Sequence, residues 1–73
     1  MLKITLKAAR VNAGMTQTQV ADKVGVIKET ILNWENGKTK IKTFQLMALC
    51  QLYGISVDNI ILPENSTKSG QTN

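Results

Sequence analysis

Four of the five glycines, Gly14, Gly25, Gly37 and Gly54, each follow a stretch whose apolar residues recur at helical spacing, where a helix commonly ends in a left-handed cap. The chain is therefore punctuated into short helices. Start signals agree with the stops. Thr16-Gln17-Thr18-Gln19 fits a capping box, in which the Thr16 hydroxyl covers a free amide and Gln19 reaches back to the cap, and Thr43 and Ser56 are further N-cap candidates. Between these marks the pattern predicts helices at about 4–13, 17–24, 28–35, 44–53 and 57–61, an all-α arrangement of five helices with no strand expected anywhere in 17–62.

With 73 residues there is room for one core, since a chain this short buries only roughly 60% of its unfolded surface. Val20, Ala21 and Val24 share one side of the second helix, and Leu46, Leu49, Cys50 and Tyr53 stand at i, i+3, i+4 and i+7 of the fourth. Together with Leu6, Ile31 and Trp34 they form the expected interior. Residues 1–62 read as one domain, and 63–73, PENSTKSGQTN, as a disordered polar tail with no apolar anchor. Ile60, Ile61 and Leu62 place more apolar surface on the short last helix than it can readily bury, so this end is either core or a contact with a second copy.

Several function classes are excluded by what is missing. The chain has no histidine and a single cysteine, so neither a zinc set nor an internal disulfide can be assembled, and no cofactor is expected. No nucleophile and base are paired, which argues against an enzyme. No apolar run approaches the ~18 residues of a membrane span, and the first residues lack a secretory signal's apolar stretch, so a cytoplasmic protein is expected. The net charge of +4 suits a polyanionic partner, and Lys38, Lys40 and Lys42 concentrate it in one apparent loop.

The segment TQTQVADKVG followed by VIKETILNWENG supplies two short helices joined by a glycine-containing turn, the arrangement of a DNA-reading helix-turn-helix. Ala21 is small where the helices must approach, Gly25 opens the turn, and Val20, Val24, Ile31 and Trp34 can fix the angle between them. On the opposite side of the second of these helices stand Lys28, Glu29, Thr30, Leu32 and Asn33, polar for the most part and candidates to read bases. Lys28 lies in the first turn, where the helix dipole disfavours a cation, so local stability does not account for it, whereas contact with guanine O6 and N7 would. For Glu29 a favourable dipole interaction and acceptance from cytosine N4 remain equal alternatives. Asn33 is a mediocre helix former on the outer face and suits a contact with adenine.

These residues resemble the lambda-repressor-like domains of phage repressors, Cro proteins and related small bacterial regulators. The resemblance covers residues 4–62 and is most specific at Trp34-Glu35-Asn36-Gly37-Lys38-Thr39. It is supported by the 17–25 helix and turn, Arg10, and Gly54-Ile55-Ser56-Val57-Asp58. It implies a compact domain that binds a double-stranded operator, with Lys28, Glu29 and Asn33 facing base edges in the major groove. Gln17, Thr30, Asn36, Lys38, Lys40, Lys42 and Thr43 would lie along the backbone, and Arg10 and Glu35 would form a structural ion pair. A weak homodimer is expected as well, on the apolar end near Ile60, Ile61 and Leu62, because two recognition helices must meet successive major grooves.

One departure from that pattern matters. Ile27 stands where relatives place Ser or Thr to cap the recognition helix and touch a phosphate, and isoleucine can do neither. Two functions follow. The first is a sequence-specific repressor or Cro-like regulator of phage type. The alternative is an antirepressor, a modulator that binds a phage repressor protein through the same fold, with Ile27, Ile60 and Ile61 as partner contacts. The sequence leaves open whether this is a protein of Cro-like length or an excised domain.

Overall fold

The computed structural model describes residues 3–63. Its elements, in chain order, are β1 (Ile4–Thr5), α1 (Leu6–Asn12), α2 (Gln17–Val24), α3 (Lys28–Asn36), α4 (Thr43–Tyr53), a 3-10 turn η1 (Val57–Asn59) and β2 (Ile60–Ile61). The expected tail at 63–73 lies, Pro63 apart, outside the described residues.

Local chemistry accounts for most of the boundaries. Thr16 Oγ1 accepts from the Gln19 amide at 3.1 Å and Gln19 Oε1 accepts from the Thr16 amide at 2.8 Å, so the capping box that opens α2 is complete. The helix closes at Gly25, whose φ of +79° is a left-handed conformation that a side chain would strain. At α4 the cap is Lys42 rather than Thr43, which becomes the first helical residue. A lysine side chain has no acceptor, so only the reciprocal half of a box forms there, with the Lys42 amide donating to Gln45 Oε1 at 2.9 Å.

Two expectations are corrected. The first helix does not begin at residue 4. Thr5 caps it, accepting from the Ala8 amide at 3.1 Å, and Ile4–Thr5 are extended. Nor, among the described residues, is there a fifth α-helix or an absence of strand. The segment after Gly54 makes one 3-10 turn, capped by Ser56, and then runs extended through Ile60–Ile61. The physical reason is that three residues cannot repay helix nucleation, and two consecutive β-branched isoleucines favour extended backbone. These residues pair in parallel with β1, Ile4 with Ile60 and Thr5 with Ile61, which ties the start of the domain to its end.

The core consists of Leu6, Ala9, Val20, Ala21, Ile31, Trp34, Ile41, Leu46, Leu49, Cys50 and Ile60. Val24 and Tyr53, expected inside, are only half-buried and pack against its edge. Ile60 falls on the core side of the alternative set by the sequence, while Ile61 and Leu62 stay exposed. Helix α2 packs chiefly against α3, and α1 and α4 close the other side.

Candidate nucleic-acid interface

The outer face of α3 follows from how its inner face is used. Ile31 and Trp34 are buried one turn apart, which turns Lys28, Glu29 and Leu32 outward and leaves Thr30 and Asn33 half-buried at the margin. Lys28 with Leu32 and Glu29 with Asn33 are i, i+4 pairs, so the predicted readers form one stripe. Among the described residues, no side-chain hydrogen bond or ion pair engages Lys28, Glu29, Asn33, Asn36, Lys38 or Lys40. Ile27 occupies the N-cap with no side-chain cap bond, and it is 69% exposed.

The basic loop leaves the last turn of α3 directly. The Asn33 carbonyl accepts from the Lys38 amide at 2.9 Å and from the Thr39 amide at 3.3 Å, after Gly37 has reversed the chain at a φ of +77°. Farther on, Ile41 is buried between two exposed lysines, so the core anchors the loop and Lys40 and Lys42 are left in solvent. Four of the nine cations, Lys28, Lys38, Lys40 and Lys42, thus lie on α3 or in the loop that leaves it. Thr43, at the start of α4, continues the series, exposed like its neighbours.

Gln17 lies at the first position of α2, and its amide Nε2 donates to Glu35 Oε1 at 3.0 Å. Glu35 is also the partner of Arg10, whose Nε lies 2.7 Å from Oε2 and whose Nη2 lies 3.3 Å from Oε1. The remaining arm of the guanidinium donates to the Met15 carbonyl at 2.9 Å. One buried arginine therefore joins α1, the loop into α2 and the last turn of α3. The expected Arg10–Glu35 pair is present, and the bond from Gln17 is an addition the sequence did not reveal.

Two further features escaped the sequence reading. Phe44 and Met47 stand 68% and 56% exposed on α4, whose residues are apolar on more than one side. A groove of about 310 Å³ between α2 and α4 is lined by Lys23, Val24, Ala48, Gln51 and Leu52, with no carboxylate, hydroxyl or thiol among them. Among the described residues, no cluster of ligating side chains could hold a metal, and no helix is long and apolar enough to cross a membrane.

A helix-turn-helix family model matches residues 6–60. The HTH-type transcriptional regulator ImmR of Bacillus subtilis (strain 168) is 31% identical over 67 residues, which cover 92% of this chain. The chain spans about half of that relative, 53% of its length. No solved structure matches the chain.

Proposed function

The chain belongs to the lambda-repressor-like helix-turn-helix family, and we propose that it is a sequence-specific DNA-binding transcriptional regulator of the phage repressor or Cro type. In this reading α3 enters the major groove of a double-stranded operator, with Lys28, Glu29 and Asn33 at base edges. Gln17, Thr30, Asn36, Lys38, Lys40, Lys42 and Thr43 hold the backbone. The observation that carries it is the joining of the α3 stripe to the lysine loop. Polar readers with no side-chain hydrogen bond or ion pair among the described residues lie on the helix whose last turn leads into the lysine loop, where the Asn33 carbonyl holds the Lys38 amide and Ile41 anchors the loop in the core. Base contacts specify and phosphate contacts position, and a face holding both side by side suits DNA. The relative named as a transcriptional regulator agrees with this reading. The protein would act in the cytoplasm of a bacterium carrying a phage or prophage, residues 1–62 forming the binding domain.

A homodimer completes the proposal, because two recognition helices must sit roughly 34 Å apart to meet successive major grooves. Ile61 and Leu62, exposed at the end of the domain, supply its surface.

The test is a gel shift on the DNA flanking the gene, with two sets of variants. Lys28→Ala with Asn33→Ala should cost about 1–3 kcal/mol per lost base contact on the specific site and little on random duplex. Lys40→Ala or Lys42→Ala should weaken both about equally and reduce the salt dependence by roughly 0.9 in log K against log salt per phosphate. Affinity that does not respond to salt would overturn the assignment.

One observation favours a second reading. Ile27 caps nothing and is the most exposed large apolar side chain of the described residues, so it could anchor a protein partner such as a phage repressor, the chain then acting as an antirepressor.

A further inference from the structure

We infer that Glu35 is a positioning residue for the phosphate contact proposed at Gln17, with Arg10 fixing Glu35. The inference rests on the DNA-binding reading and adds a role for a residue that the reading leaves in a purely structural pair.

A glutamine side chain has two faces of opposite meaning to a phosphate. Its NH2 group donates and attracts the anion, while its carbonyl oxygen repels it, and an amide flip exchanges the two. Glu35 removes that freedom. An ionised carboxylate is acceptor-only, so the end of Gln17 that meets it at 3.0 Å must be the nitrogen. One N–H is committed to Glu35, and the other, fixed in the amide plane, has no hydrogen-bond partner among the described residues. Gln17 is itself half-buried, so this orientation is held at the margin of the domain and not within the core.

Arg10 makes the acceptor rigid. The Glu35 side chain is 3% exposed, and both its oxygens are engaged by the guanidinium, Oε2 at 2.7 Å and Oε1 at 3.3 Å. The same guanidinium holds the Met15 carbonyl just ahead of the Thr16 cap. Arg10 thus fixes both the acceptor and the backbone that carries the donor.

A double-mutant cycle tests the inference on random-sequence duplex at low salt, because a phosphate contact is independent of sequence. Glu35→Asp keeps a negative charge opposite Arg10 but withdraws the carboxylate by one methylene. It should weaken binding about twofold to tenfold, the worth of one hydrogen bond, and Gln17→Ala should do the same. In the Gln17→Ala background, Glu35→Asp should then have no further effect. Because glutamine is neutral, the salt slope should stay as it is in the wild type. A loss of equal size in both backgrounds would mean that Glu35 acts only through stability, and would overturn the inference while leaving DNA binding intact. A wild-type chain that binds no duplex would overturn both.

A measurement on the unaltered chain guards against misfolded variants. In NMR spectra of the wild type, the Gln17 side-chain NH2 resonances should be well separated, one proton bonded to Glu35, and the other should shift on addition of duplex. Resonances that stay in place while the α3 amides move would contradict the assignment.

Discussion

Arg10 Nε lies 2.7 Å from Glu35 Oε2 at side-chain exposures of 10% and 3%, the single ion pair found among the described residues. Burying two charges is costly, and their attraction repays it only when the remaining hydrogen bonds are also made. Here they are, through Met15 and Gln17. Removing one partner strands the other, so Arg10→Met should cost about 3–5 kcal/mol in a denaturant titration followed by Trp34 fluorescence. Replacing both, Arg10→Met with Glu35→Leu, should recover most of that stability. It should not recover full DNA affinity, since Gln17 loses its acceptor. Recovery of both would show that the pair serves the fold alone.

The Tyr53 phenol gives a pH-dependent signature. Its oxygen is buried without a hydrogen-bond partner among the described residues, and its pKa is pushed up to about 12 from an ordinary 10.0. Burial is the main cause, with the negative charge of Glu35 adding to it, Arg10 partly opposing it and Cys50 contributing. The fold therefore favours the neutral phenol. The stability this provides is whole below the unfolded value near 10 and is lost as pH rises through about 12. Tyr53 is the chain's only tyrosine, so phenolate absorbance reports it without interference from a second one. A midpoint near 10 in the folded protein would contradict the burial, and Tyr53→Phe should not lower stability at neutral pH.

What the sequence made legible is what depends on neighbours in the chain. The α2 boundaries follow from Thr16, Gln19 and Gly25, all within one short segment, and the inward stripe of Ile31 and Trp34 follows from helical period. Pairing between Ile4 and Ile60 was not legible, because register between the two ends of a domain is set by the packing of everything between them. The same holds for the bond from Gln17 to Glu35, which requires knowing how the start of α2 meets the end of α3. For Ile41 a signal was available. Lys40-Ile41-Lys42 alternates in polarity, and an apolar residue amid loop cations is the mark of an anchored loop. Ser56 caps the segment after Gly54 as its sequence predicts, but the expected fifth helix stops at one 3-10 turn because the β-branched Ile60 and Ile61 favour extended backbone.

Self-association should respond to Ile61, which is 47% exposed, more than to Ile60, which is in the core. Ile61→Asp should weaken a dimer measured by analytical ultracentrifugation, or on a two-half-site duplex, while leaving the thermal midpoint nearly unchanged. Ile60→Asp should unfold the domain, since an uncompensated charge would enter the core. If Ile61→Asp leaves the dimer as strong as before, the exposed pair Phe44 and Met47 on α4 becomes the surface to test.

Ile27→Ser separates the two functions, because DNA and a protein partner ask opposite things of that position. The backbone at Ile27 is already extended, with φ −85° and ψ 158°, the conformation of an N-cap, but the side chain offers no oxygen. Serine fits there without rearrangement. It should add about 0.5–2 kcal/mol by accepting from a free amide of the first turn of α3, and it removes an apolar group from solvent. For a DNA-binding protein the change should leave operator affinity unchanged or improve it, since a hydroxyl at the head of the recognition helix can also meet a phosphate. For an antirepressor it should damage the complex, because binding energy in protein interfaces concentrates in a few buried anchors. Gel shift on the flanking DNA and pull-down with the neighbouring repressor should therefore move in opposite directions. Tighter DNA binding together with greater thermal stability removes the support for a protein partner. Loss of repressor binding, with no operator shifted by either form, would show the DNA-binding proposal to be wrong.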